Sequence, residues 1–247
     1  MRVKVGIVVL LLAWSMNAQF VNPLALAQPS QVTPEQVPPY EVAALKALDS
    51  LKSKDFFAHV KDADEYARKL GFASAAEIAD AVLGTHPLEV KRVGLTQLSK
   101  FAPGGNIEDL WDDVHTYIFP IYVKEEKEGA VRSSLTVAEI KKTWQWTRRG
   151  SPNLIRQLEK ARAQIKQSSQ SSDSLLVMIP GLNLIFLGEG TGSQLTLVPL
   201  SNAEIGNVML KAGQPMPASL VFEKLAPEAV RILAAETRQE GGNRLLR

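Results

Sequence analysis

The chain has 247 residues, with 28 Lys+Arg against 26 Asp+Glu and no cysteine. With Arg2 and Lys4 set aside as part of a leader, 26 cations face 26 anions, which argues against a dedicated nucleic-acid binder, whose affinity rests on surplus cations facing phosphates. Zero cysteine excludes thiolate catalysis, iron–sulfur clusters, haem attachment through cysteine and lipidation of an N-terminal cysteine, and leaves the fold to packing alone.

In chain order, Arg2 and Lys4 precede an apolar run from Ile7 to Trp14, and Ala25-Leu26-Ala27 forms a small-x-small site before Gln28. That order predicts a cleaved secretory signal peptide over 1–27 and an exported, periplasmic or extracellular product without a stable membrane span. The mature part, about 220 residues, suits one large domain or two small ones. Residues 28–40 are rich in Pro and Gln and read as a flexible leader. A helical subdomain is predicted over 41–86. Val42, Leu45, Leu48 and Leu51 form one stripe, and Ala63, Tyr66, Ala67 and Leu70 another, stopped by Gly71. Ser74 and Glu77 make a capping box opening a helix with Ala75, Ile78, Ala79 and Val82 inward.

An α+β region follows over 87–240. It begins with a strand over Leu88–Phe101, broken near Gly94, and a short helix capped by Asn106. Tyr117–Val123 and the alternating stretch Val131–Val137 read as strands joined by a turn at Glu125–Gly129. Ser151-Pro152 opens a helix burying Leu154, Ile155, Leu158, Ala161 and Ile165, and Gln167–Ser174 is a linker. Leu175–Leu187 is apolar almost throughout and belongs mid-sheet, covered on both faces. Gly188–Gly192 turns the chain into a strand over Gln194–Leu200. Helices are predicted over Ser219–Leu225 and Pro227–Arg238, before a basic tail over 241–247.

Leu88, Val90, Gly94 and Leu95 recur without a gap as Leu175, Val177, Gly181 and Leu182. Each stretch is followed by a strand containing proline, Pro120 in one and Pro199 in the other. The spacing suggests two related α+β units over 87–166 and 175–238. This layout, over Leu88–Leu200, resembles the chaperone-like family associated with the chloroplast-import translocon and its bacterial periplasmic relatives, carried by the Val90–Leu98 and Ile118–Val123 stretches. The resemblance implies an envelope protein linked to protein transport or outer-membrane biogenesis. It transfers no individual site residue, and the helical region Ala43–Leu83 departs from the family's pattern.

Catalytic signatures are sparse. The three histidines, His59, His86 and His115, form no metal-ligand spacing, so neither metal nor cofactor is expected. Asp113 and His115 are the first suspects for acid–base work, because a carboxylate can orient an imidazole and raise its pKa. Neither Gly-x-Ser-x-Gly nor Ser-x-x-Lys occurs. The glycines at 188, 190 and 192 lead into a strand, not into the helix N-terminus that a phosphate cradle requires.

The most distinctive segment is Lys141–Arg149, four cations and two tryptophans in nine residues. If extended, Lys142, Trp144, Trp146 and Arg148 share one face suited to a protein or an anionic envelope component. If helical, the indoles diverge by roughly 200° and at least one is core. A third account has both rings covering the sheet while the cations reach water. The sequence therefore favours an exported, non-enzymatic binding or chaperone-like protein. A hydrolase built from scattered residues and a structural cell-envelope adaptor stay open, and composition sets no oligomeric state.

Overall fold

The computed structural model describes residues 37–123, 131–165 and 174–244. The predicted signal peptide, residues 28–36 of the predicted leader, the predicted Glu125–Gly129 turn and nearly all of the predicted Ser/Gln linker lie outside the described residues. Contacts group Val37–Arg247 into one unit. Its elements are α1 (Pro39–Lys52), α2 (Lys54–Phe57), α3 (Ala63–Leu70), α4 (Ala75–Ala79), β1 (Ala81–Leu83), β2 (Leu88–Arg92), α5 (Leu95–Leu98), β3 (Thr116–Val123), β4 (Ser133–Ile140) and β5 (Thr143–Arg149). There follow α6 (Pro152–Ile165), β6 (Ser174–Ile179), β7 (Leu184–Glu189), β8 (Thr196–Pro199), β9 (Ala203–Ile205), β10 (Val208–Leu210), β11 (Met216–Pro217) and α7 (Ala218–Arg244). The fold is α+β, as the sequence predicts.

Among the described residues nine strands form one sheet in the order β11-β8-β7-β6-β2-β3-β4-β5, with β1 also paired to β3. The two stretches that resemble each other in sequence become its central pair. β2 and β6 run parallel, with Val90 opposite Leu176 and Lys91 opposite Val177. From that pair outwards the order reads alike in both directions, through antiparallel β3 and β4 on one side and β7 and β8 on the other.

Side-chain alternation assigns the faces. Leu88, Val90, Ile118, Leu176, Leu187 and Val198 pack with Ile155, Leu158 and Ala161 of α6. On the opposite face, Phe119, Ile121, Leu135 and Val137 pack under Ala44, Ala47, Leu48 and Leu51 of α1. On that same face Val177, Phe186 and Leu197 lie under Val221, Phe222 and Leu225 of α7. Between these two covered areas β2 presents Glu89 and Lys91, an ion pair at 2.6 Å with both side chains about a third exposed.

Several elements depart from the sequence reading. The helices expected as a subdomain over 41–86 lie on the sheet, with α1 against β1, β4 and β5. Tyr40, assigned to the leader, belongs to α1, whose first turn holds Pro39 where a missing N–H costs nothing. The helix opened by Ser74 ends at Ala79, and Ala81–Leu83 pairs with Ile121–Val123 as a strand. Beyond Arg92 the predicted strand becomes helix α5. Leu175–Leu187 is a hairpin: Pro180 lacks the N–H a central strand would donate, and a 3-10 turn at Pro180–Leu182 reverses the chain through Asn183 at φ 52°. The two C-terminal helices are one, passing Pro227 and running through Gly241-Gly242 to Arg244.

Candidate functional site

Strands β4 and β5 form a hairpin closed by Lys141 and Lys142, with φ of 51° and 63°. Two left-handed residues give the turn whose twist matches antiparallel strands, a place normally taken by Asn or Gly. Lys142 therefore stands at the turn, outside the strand. Along β5, Trp144 and Trp146 pair with Glu139 and Val137, but the register slips there and Arg148 pairs with Thr136. Thr147 is the extra residue of a β-bulge, which reverses the alternation. Trp144, Trp146 and Arg149 consequently share the α1 side of the sheet with Val137 and Leu135, and Arg148 goes to the α6 side. The predicted face of Lys142, Trp144, Trp146 and Arg148 is corrected to Trp144, Trp146 and Arg149.

Tyr40 stacks on Tyr117 with ring centroids 4.2 Å apart. Trp144 meets Tyr40 edge-on at 5.6 Å and lies 5.7 Å from Tyr117. Trp144 is thus half-buried in a small aromatic core. Burial, then the nearby charge of Glu89 and then Tyr40, hold the Tyr117 hydroxyl above the ordinary tyrosine pKa. Trp146 is different, at 45% exposure. The Arg149 guanidinium lies 3.9 Å from its ring centroid and 4.4 Å from that of Phe56 in α2, a cation held between two aromatic rings. Its Nε is buried with no hydrogen-bond partner among the described residues. Ala43, Lys46, Trp144, Gln145 and Trp146 line an open cleft of about 480 Å³ between α1 and β5.

Among the described residues β5 is the last strand of the sheet, and none pairs with its outer edge. The Glu139 N–H donates to the His115 carbonyl at 2.9 Å, towards β3. Glu139 and Trp144 are therefore a pair whose backbone groups point away from each other, and two residues on, so are Val137 and Trp146. The N–H and C=O of both tryptophans face the outer edge. The sheet's other edge is β11, two residues ending in Pro217.

Asp113 and His115 stand 3.7 Å apart on the surface, with side chains 101% and 56% exposed. Both side chains stand in solvent, outside any concave, water-excluding site among the described residues. Among the described residues no group of three or more His, Asp or Glu could hold a metal ion. Arg68, Arg132 and Arg156 line a cleft of about 370 Å³, where Arg132 pairs with Glu77 at 3.2 Å.

Sequence reasoning found the two tryptophans but missed Tyr40, Lys46, Phe56 and Arg149, which reach the site from α1, α2 and beyond the bulge. Only Arg149 carried a local signal, its place within the basic run. No family model matches the chain, and no curated protein or solved structure is significantly similar to it.

Proposed function

We propose that this chain is an exported, non-enzymatic binding protein of chaperone-like character that works in the cell envelope on other polypeptides. The observation that carries the reading is the β5 surface. A large exposed indole, a half-buried one and several cations flank a strand edge with unspent hydrogen-bonding groups. Aromatic rings supply contact area at low entropic cost, and flanking cations attract anionic partners. The signal-peptide order of 1–27 supports export, and the layout of Leu88–Leu200 supports kinship with the translocon-associated family and its periplasmic relatives. Among the described residues no helix is long and apolar enough to cross a membrane. The hydrolase alternative has no comparable observation behind it.

Titration of a fluorescein-labelled, permanently unfolded, carboxylate-rich protein, reduced and carboxymethylated α-lactalbumin, tests the proposal through fluorescence anisotropy. Saturable binding is expected, weakened about tenfold or more by the double variant Trp144→Ala/Trp146→Ala, within the range of aromatic anchors in interfaces. Absence of binding, or binding untouched by the double variant, contradicts it.

A further inference from the structure

Resting on that binding reading, we propose that β5 takes an extended acidic segment of another polypeptide as an added strand, paired to the backbone of Trp144 and Trp146. A long, open strand edge is a template for another chain, and proteins blunt such edges unless they use them. Here one edge is closed to pairing by its brevity and its proline, whereas the other keeps a regular stretch between a lysine turn and a bulge, features that discourage a like-charged edge more than an acidic one. β11 is short and carries Pro217, whereas β5 turns the N–H and C=O groups of Trp144 and Trp146 to its outer edge. The bulge at Thr147 bends the strand and confines regular pairing to Thr143–Trp146.

Charge and alternation define the occupant. Residues 141–150 hold Lys141, Lys142, Arg148 and Arg149 and no acid. Lys46 adds a cation beside the tryptophans. An added strand would place alternate side chains against the indoles on the α1 side and the others beside Gln145 and Arg148. The segment that fits alternates apolar residues with Asp or Glu. A second copy of this chain fits badly: antiparallel pairing about Gln145, which sets Trp144 of each copy opposite Trp146 of the other, would bring Arg148 and Arg149 of each against Lys142 and Lys141 of the other, and like charges across strands destabilise the pairing.

The experiment uses a fluorescein-labelled peptide, Thr-Glu-Val-Glu-Val-Glu-Thr, its lysine counterpart, and fluorescence anisotropy. The acidic peptide is expected to bind, more weakly as salt rises, and the lysine peptide not to bind. Trp146→Ala removes the indole but keeps the amide, whereas Trp146→Pro removes both without costing a bond to β4. The proline variant is expected to bind about tenfold more weakly than the alanine variant, near the upper end for one lost hydrogen bond. A readout independent of the protein's folding comes from N-methylating the peptide at alternate residues. One set should abolish binding and the other should be tolerated.

Equal binding by both N-methyl sets, or an alanine and a proline variant that bind alike, overturns the added strand while the binding reading survives. Failure to bind either peptide or the unfolded carboxymethylated protein overturns both. A dimer in sedimentation equilibrium that Trp146→Pro dissolves assigns the edge to a second copy and overturns the acidic partner.

Discussion

Lys141 and Lys142 both lie in the left-handed region, where a Cβ approaches the following carbonyl oxygen and costs about 1–2 kcal/mol per residue. The cost is tolerated because β4 and β5 are closely paired on either side and fix the turn. Replacing the pair by Asn-Gly should therefore raise stability by about 1 kcal/mol or more in urea unfolding, while weakening capture of acidic peptides. An unchanged or lower midpoint would show that the turn is not strained. Tyr117 gives a second single-residue prediction. Its pKa is raised by burial, as is that of Tyr122, so the folded chain keeps these phenolic protons at a pH where the unfolded chain releases them. Stability is then level below about pH 10 and falls as pH rises from there through the folded-state values. Tyr117→Phe should flatten the alkaline fall in a pH series of urea midpoints, and an unaltered slope would contradict it.

Elements were legible where a local residue decides them. Ser74 Oγ accepts from the Glu77 N–H at 3.4 Å, as a capping box requires, although the Glu77 carboxylate bonds to the Ala73 N–H and not to that of Ser74. Gly71 ends α3 at φ 99°, where a Cβ would strike the Arg132 carbonyl, so Gly71→Ala should cost about 1 kcal/mol or more. The misread elements are those that distant partners decide. Val82 continues the helical period of Ala75, Ile78 and Ala79, but β3 offers Ala81–Leu83 a ladder that no local pattern reveals. Thr147 has nothing in its neighbours to mark it as a bulge, and that residue displaced Arg148 from the predicted face. Leu182, expected in a strand, sits at the 3-10 turn yet is 6% exposed within the α7 core. Leu182→Ala should cost about 2–5 kcal/mol, and a cost under about 1 would show that the turn relaxes into the space.

Within Val37–Arg247, one sheet joins three apolar clusters, and the parallel β2–β6 pair ties its halves together. Trp111 reports the α7 end of this arrangement and Trp144 with Trp146 the β5 end. A variant keeping only Trp111 and one keeping only Trp144 and Trp146 should show the same urea slope, each with its emission change coinciding with its own circular dichroism change. Non-coincident transitions would mean that the halves unfold separately. From sequence, the charge balance argues against a dedicated nucleic-acid binder, and the sparse catalytic spacings favour the proposed binding role. The edge itself was invisible in sequence, because strand order is set by pairing across the whole sheet. That edge is the centre of the functional account, and amide hydrogen exchange of β5 tests it most directly. In the free protein the Trp144 and Trp146 amides should exchange fast and the Gln145 amide, directed at β4, slowly. The alternating Glu–Val peptide should slow both tryptophan amides by about tenfold or more. Tryptophan amides already protected in the free protein, or unaffected by peptide, would contradict the account.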